Sequence, residues 1–250
     1  MPLAPAFAHL RAQIARIEGA GGRAPGVLPF GLPGLDRHLP GGGLALGCLH
    51  EVAGGGNGAV DGAAAACFAA GIAARLSGQV LWCVIQADLF TPGLAQAGLP
   101  PGRVIHVEAG EERDVLACME EGLRHGGLAA VVAEAPHLPM AASRRLHLAA
   151  REGGTLGIAL RRWRRPAEAS DFGQPTAAMT RWRVSVLPSA PLRVPGLGRP
   201  RWLVELIRAR AGESFDVELE GCDETGRLDL PAELADGPAA AHGWGRSAAG

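Results

Sequence analysis

Apolar residues follow two alternating rhythms along the middle of the chain. Continuous apolar runs, typical of strands buried on both faces, alternate with segments that carry apolar residues three or four positions apart, as one face of a helix does. The runs predict strands over 44–53, 79–87, 104–107, 128–133 and 155–160, and the spaced segments predict helices over 61–76, 91–98, 111–124 and 141–151. This order predicts an α/β fold built on a mostly parallel, doubly wound sheet.

The two ends of the chain depart from this rhythm. Three alternating segments (181–186, 202–209 and 215–219) follow one another without helices and predict an antiparallel C-terminal extension of the sheet. We therefore divide the chain into an N-terminal helix with its linker (1–26), a core (27–235) and a tail (236–250). The tail is rich in alanine and glycine and is predicted to be disordered.

The N-terminal helix is predicted to be amphipathic. Its apolar stripe has helical spacing and consists of Leu3, Phe7, Leu10, Ile14 and Ile17. A linker that contains several glycines follows this helix. The stripe can therefore pack on the core or dock on another chain, and we regard it as a candidate partner-docking surface.

A glycine cluster lies between the strand run 44–53 and the alanine-rich helix that follows it. A strand, a glycine loop and a helix form the architecture of a phosphate-binding loop, whose backbone N–H groups face the anion. The motif G-x-x-x-x-G-K-[ST] fails here, because all 24 basic residues are arginine and no lysine is present to contact a phosphate. The residues of this degenerate loop are Gly54, Gly55, Gly56, Asn57, Gly58, Ala59, Val60 and Asp61.

Asp61 has two interpretations. In the frame that starts at Gly54, Val60 takes the lysine position and Asp61 takes the Ser/Thr position. A carboxylate about 4 Å from a phosphate oxygen costs about 1–4 kcal/mol, so we expect no bound nucleotide cofactor. Alternatively, Asp61 is an acid at a helix start, where it stabilises the first turn by about 0.3–1 kcal/mol.

The composition excludes several classes of protein. A net charge of −1 and a pI near 6.7 give no overall attraction to nucleic acid, so any such binding must come from a local patch. The eight histidines and five cysteines have no metal-ligand spacing, which predicts free thiols and no metal site. No apolar run is long enough to span a membrane, and a cytoplasmic location is expected.

The short sequence motifs and their order resemble those of the RecA recombinase core over roughly 27–230. That family opens with a G-x-x-x-L-D segment, a glycine-rich turn and a strand that ends in Glu-x-x-Gly. The matching residues here are Gly31, Leu35, Asp36, Gly41 to Gly43, Glu51 and Gly54. Together with the length, the degenerate loop and the segment 198–210, these motifs resemble most closely the ImuA family of RecA-like accessory proteins.

The resemblance implies a role and a set of partners. ImuA proteins belong to the bacterial damage-induced (SOS) mutasome, where they accompany an ImuB-like inactive Y-family polymerase and an error-prone C-family polymerase. It implies DNA repair by error-prone translesion synthesis and mutagenesis. RecA and single-stranded DNA are further candidate partners, and self-association is left open.

Departures from catalytic RecA proteins predict a protein that does not hydrolyse ATP. Recombinases carry a water-activating glutamate after the strand that matches 80–85, whereas Gln86, Ala87 and Asp88 stand here. The strand 128–133 should end in an acid that holds Mg²⁺, but Ala133 and Glu134 stand there. We therefore expect neither an enzyme nor catalytic residues.

One concentrated chemical feature remains, the arginine cluster Arg161, Arg162, Trp163, Arg164 and Arg165. In RecA-like proteins the strand at this place leads into the loop that contacts single-stranded DNA. Arginines can pair with phosphates and an indole can stack on a base, so the cluster is a candidate DNA- or partner-binding site that Arg144, Arg145 and Arg151 could extend. The alternative is structural: Trp163 packs on the core and the arginines pair with the acidic helix 111–121.

Two other functions stay open at this stage. One is a nucleotide-dependent RecA-like ATPase with an unconventional site, which nucleotide affinity would reveal. The other is an inhibitor of cell division like SulA, which is also RecA-like but shorter than this chain.

Overall fold

A computed structural model describes residues 26–56, 58–163, 169, 172–189, 198–210 and 212–231. The helices are α1 (Pro33–Asp36), α2 (Gly58–Ala74), α3 (Thr91–Gln96), α4 (Glu112–His125) and α5 (Met140–Gly153), with single 3-10 turns at Pro40–Gly42 and Pro101–Arg103. The strands are β1 (Val27–Leu28), β2 (Leu44–Ala45), β3 (Leu49–Gly54), β4 (Val80–Val84), β5 (Val104–Glu108), β6 (Ala130–Glu134), β7 (Leu156–Arg161), β8 (Thr180–Leu187), β9 (Arg201–Ala209) and β10 (Phe215–Glu220). The apolar stripe of the N-terminal helix and the tail 236–250 lie outside the described residues.

Eight of these strands form one sheet in the order β10-β9-β8-β3-β7-β6-β4-β5. The strands from β8 to β5 run parallel, whereas β8, β9 and β10 pair antiparallel at the other end. The fold class predicted from the sequence is thus confirmed, a mostly parallel α/β sheet with an antiparallel C-terminal extension.

Helices cover both faces of the parallel part. On one face α2 packs through Phe68 and Ile72 against Trp82 and Trp182, and on the other α4 and α5 bury a separate apolar layer around Met119. Alanine and glycine make up most of α2, and small side chains let a helix lie close to the sheet. A Cβ on Gly62 would lie 3.0 Å from Cγ of Arg162, so a side chain from the end of β7 crosses this helix directly.

Most element boundaries agree with the sequence within a few residues, but the run 44–53 does not form one strand. Gly47 has φ +61, a left-handed conformation that glycine adopts without strain, and it separates β2 from β3. β2 then pairs with β1 in a small separate sheet, while β3 enters the centre of the large one. Continuous apolar character could not reveal this turn, because both short strands are buried.

Candidate functional site

The carboxyl ends of β3, β4, β6 and β7 meet at one edge of the sheet, the usual ligand site of open α/β folds. The glycine loop follows β3, and Asp88 follows β4 in the chain. Glu134 ends β6, and Arg162 comes directly after β7. The residues expected to decide nucleotide chemistry are therefore brought together here.

The glycine loop packs tightly against β8. The N–H of Gly55 donates to the carbonyl of Val184 at 2.9 Å, so this backbone donor is used by the sheet. A Cβ at position 55 would lie 1.8 Å from Oγ of Ser185, and only glycine allows this approach. The loop lies where a phosphate-binding loop would lie. However, the N–H of Gly55, which could bind an anion, already donates to β8.

Asp61 adds a negative charge beside this loop. It lies in the first turn of α2, is 3% exposed, and its Oδ1 accepts the N–H of Val186 at 2.9 Å. A Cβ on Gly55 would lie 2.9 Å from its Oδ2. Both interpretations of Asp61 are therefore compatible with its position. It is an acid in the first turn of α2, and its carboxylate also lies beside the loop where a phosphate would bind.

Arg162 links the two acids across the edge. Its Nη1 donates to Oε2 of Glu134 at 2.8 Å, and its Nη2 donates to Oδ2 of Asp88 at 3.0 Å. The other carboxylate oxygen of Glu134 accepts the indole N–H of Trp82 at 3.1 Å. Glu134 thus has a partner on each oxygen.

Burial raises the pKa of the Glu134 carboxyl above its ordinary value, and the charge of Asp88 adds to this effect. The Arg162 guanidinium and the Trp82 hydrogen bond oppose the rise without cancelling it. Arg162 is therefore the principal reason that a carboxylate can remain charged at this buried position.

Two small cavities lie at this edge, and Arg162 lines the first of them. One, of about 260 Å³, is lined by Gln86, Asp88, Glu134 and His137. The other, of about 240 Å³, is lined by the loop glycines together with Trp163, Phe172 and Arg183. Each is smaller than the ligand pockets of about 300–1,000 Å³ common in proteins.

A second ion network lies beneath this edge and is fully buried. Glu51 accepts Nη1 of Arg161 at 2.5 Å on one oxygen and Nε of Arg181 at 2.8 Å on the other. The register explains this convergence, because β7 and β8 flank β3 and Arg181 lies directly opposite Glu51. Thr176 donates a further bond to Glu51 at 3.0 Å, so its carboxylate is well satisfied.

The two arginines use their remaining donors to fix the chain around the site. Arg161 donates twice to the carbonyl of Pro136, and Arg181 donates to the carbonyls of Phe172 and Gln174. Trp163 also donates to the carbonyl of Pro136, and its ring meets Phe172 edge-on with 5.0 Å between centroids. Trp163 and Phe172 are therefore in contact, although eight residues separate them in the chain.

Comparison with known proteins gives the family. The chain is 41% identical to Protein ImuA of Caulobacter vibrioides NA1000 over 242 residues, which cover 91% of this chain and 98% of that protein. Protein ImuA of strain ATCC 19089 matches to the same extent. The chain belongs to the ImuA family.

Two other comparisons agree with the fold of this ImuA-family chain. The family model described as "Cell division inhibitor SulA" matches residues 72–157, about a third of the chain. The crystal structure of the RadB recombinase superposes with a TM-score of 0.57 at 17% identity, covering 82% of this chain and 99% of that one. At that identity the RadB match shows a RecA-like fold and nothing more.

Within this ImuA-family fold the arginine cluster is not a single surface. Arg161 is completely buried on Glu51, Arg162 is held by Glu134 and Asp88, and Trp163 is half-buried. The structural alternative named the helix 111–121 as the source of acids, and for these two arginines that was wrong, because the pairing acids lie on and after strands. Arg164 and Arg165 lie outside the described residues.

Two of the arginines of α5, Arg145 and Arg151, do not extend this cluster. Arg145 pairs with Glu120 of α4 at 3.3 Å. Arg151 ends the helix near the start of β7, and the 14 residues of α5 span about 20 Å at 1.5 Å per residue. Arg151 therefore lies at the opposite edge of the sheet from Arg162, although only eleven positions separate them in the chain.

The network around Glu51 was missed at the sequence level. Glu51, Arg161 and Arg181 each stand inside or at the end of an apolar strand, where a charge is costly unless it is paired. One acid and two bases in three strands are a usable signal, but their pairing depends on the strand order.

Among the described residues, no group of three or more His, Cys, Asp or Glu side chains could hold a metal ion. In the same part of the chain no helix has the length and apolar character needed to cross a membrane.

Proposed function

We propose that this protein is a non-hydrolysing RecA-like adaptor in damage-induced, error-prone translesion DNA synthesis. Membership of the ImuA family supports a place in that process, since the family accompanies mutasome polymerases. One observation carries the non-hydrolysing part: Arg162 occupies the space between Glu134 and Asp88, where hydrolysis would need acids available to a metal ion and a water.

The electrostatics of the edge favour the same proposal. The phosphate lysine is absent, the carboxylate of Asp61 lies beside the loop, and the guanidinium groups of Arg162 and Arg183 are both paired with acids. A nucleotide would lose one attraction and meet one repulsion, each worth about 1–4 kcal/mol.

Calorimetry tests this part directly. Titration of the protein with ATP and Mg²⁺ should give no dissociation constant below about 1 mM. That limit corresponds to a binding free energy of about −4 kcal/mol. A micromolar constant would overturn the proposal and favour the ATPase.

The adaptor part needs a partner experiment. We expect an ImuB-like inactive Y-family polymerase, with an error-prone C-family polymerase, to co-purify with the protein from DNA-damaged cells. The double variant Leu10→Asp/Ile14→Asp should weaken this capture if the N-terminal stripe docks on a partner. The matched variant Arg11→Gln/Arg16→Gln changes the same helix outside the stripe and should retain it; equal capture by all three proteins would remove the stripe from the interface.

A second candidate function rests on the SulA family model, which spans from the end of α2 to the start of β7. A SulA-like inhibitor would act on the cell-division protein FtsZ. A two-hybrid test against FtsZ separates the candidates, because the adaptor should give no signal there.

A further inference from the structure

A row of arginines without ion-pair partners lies along one flank of α5. Arg144, His147 and Arg151 are spaced by three and four residues, so they share one side of the helix. Among the described residues, the side chains of Arg144 and Arg151 have neither an ion pair nor a hydrogen bond, and both are exposed. The neighbouring acid, Glu152, faces the other way, 3.8 Å from Nε of Arg124.

A second pair of arginines approaches this flank from the end of β9. Arg208 lies opposite Arg181, whose side chain reaches Glu51 on the α5 side of the sheet, and cross-strand partners share a face. Its Nη1 donates to the carbonyl of Thr176 at 3.1 Å. Arg210 continues the ladder through its N–H to Met179 and, two positions on, lies on the same face.

The segment between these two rows consists of small buried side chains. Ser143 of α5 accepts the N–H of Ala177 at 3.0 Å, which holds the segment against the helix. Thr176, Ala177 and Ala178 are all buried. The two rows therefore lie on either side of a segment of small, buried side chains. We define the α5–β9 basic surface as Arg144, His147, Arg151, Arg208 and Arg210.

The charges of this surface converge, and no carboxylate of the described residues pairs with Arg144, Arg151 or Arg210. Burial lowers the pKa of His147, and the guanidinium groups of Arg210 and Arg151 lower it further. Burial raises the pKa of Cys48, at the edge where β3 begins, and the same two arginines oppose that rise. His147 is 8% exposed and its Nδ1 has no hydrogen-bond partner in the described structure. The arginines of α5 and of the end of β9 thus place positive charge around His147.

We propose that the α5–β9 basic surface binds the phosphate backbone of a nucleic acid. The flank from Arg144 to Arg151 is about 10 Å long, and a DNA strand in a duplex carries one phosphate per about 3.4 Å of axis, so the row spans several phosphates rather than one. Guanidinium groups match phosphate oxygens in a two-point geometry. The inference is independent of the proposed function, because this surface lies on a different flank from the acids at the carboxyl edge.

Fluorescence anisotropy with a fluorescein-labelled 20-nucleotide oligothymidine tests the proposal on the full chain. If the four arginines each neutralise one phosphate, affinity should fall roughly 50-fold between about 50 and 200 mM NaCl, a slope of about −2.8. The variant Arg144→Gln/Arg151→Gln/Arg210→Gln should reduce this fall to roughly threefold, a slope of about −0.7.

A matched variant separates the surface from net charge. Arg113→Gln/Arg124→Gln/Arg145→Gln removes three arginines that pair with acids of α4 and should leave the slope unchanged. Equal losses in both triple variants, or no binding by the wild type at 50 mM NaCl, would overturn the proposal. A 20-residue polyglutamate that competes as strongly as the oligothymidine would also overturn it, since the surface would then serve an acidic protein.

Discussion

The carboxyl edge of the sheet and the α5–β9 basic surface use arginine in opposite ways. At the edge, Arg161, Arg162 and Arg181 are buried or half-buried and each meets a carboxylate. On the basic surface, Arg144, Arg151 and Arg210 are exposed and have no partner among the described residues. Two arginines of the run 161–165 therefore form ion pairs inside the structure, whereas arginines far apart in the sequence, on α5 and at the end of β9, form the accessible charge.

The difference predicts a large stability cost at the edge. Glu51→Gln should lower the free energy of unfolding by about 3–5 kcal/mol, because it leaves two buried guanidinium groups without a counter-charge. Glu205→Gln is the matched control, since it breaks the partly exposed pair with Arg183 and should cost about 1 kcal/mol or less. Urea unfolding measures both, and equal costs would mean that burial does not distinguish the two pairs.

A pH experiment compares the two faces of β3. His50 is adjacent to Glu51 but is held by hydrogen bonds: Nε2 donates to the carbonyl of Ala45 and Nδ1 accepts from Thr180. Thr180 can donate in this way because its oxygen already accepts the indole N–H of Trp182. Burial, the largest cause, lowers the pKa of His50 from 6.5 to about 4.

A lowered pKa in the folded state gives stability that is present above pH 6.5 and is lost as the pH falls towards 4. The wild type should lose about 3 kcal/mol more over this interval than His50→Gln, which can keep both hydrogen bonds without titrating. Urea unfolding at intervals between pH 7 and 4 checks this, and parallel curves would show that His50 is not the titrating group.

Arg162→Met should have a smaller effect than Glu51→Gln. Methionine keeps the apolar stem over Gly62 but leaves Glu134 with a single partner, which should cost about 1–3 kcal/mol at pH 7. The cost should shrink in acid, because removal of Arg162 raises the pKa of Glu134 further and protonation restores a neutral group. A cost that stays constant with pH would show that Glu134 does not depend on Arg162.

The smallest effect is expected on the basic surface. Each of Arg144→Gln, Arg151→Gln and Arg210→Gln should change the free energy of unfolding by about 0.5 kcal/mol or less, since exposed residues without partners rarely affect stability. Thermal unfolding can check this, because 1 kcal/mol corresponds to about 2–4 °C in a chain of this size. A larger loss would mean that these arginines are part of the structure and are not available to a ligand.

The sequence could predict the strands and helices but not which charges meet. Apolar periodicity located α4, β4 and β10 within a few residues, because each depends on local pattern. The pairing of Glu51 with Arg161 and Arg181 depends on β3 lying between β7 and β8, and that order arises from connections over more than a hundred residues. The basic surface was hidden for the same reason, since its arginines come from α5 and β9.

The contact between Trp163 and Phe172 bears on how this protein can be engineered. Their rings meet edge-on with 5.0 Å between centroids, and eight residues (164–171) separate them in the chain. Adding residues between two positions that are already held together costs little, about 0.6 kcal/mol for each doubling of the closed length. A peptide tag or cross-linking residue inserted within 164–171 should therefore leave the core folded and report on what approaches Trp163.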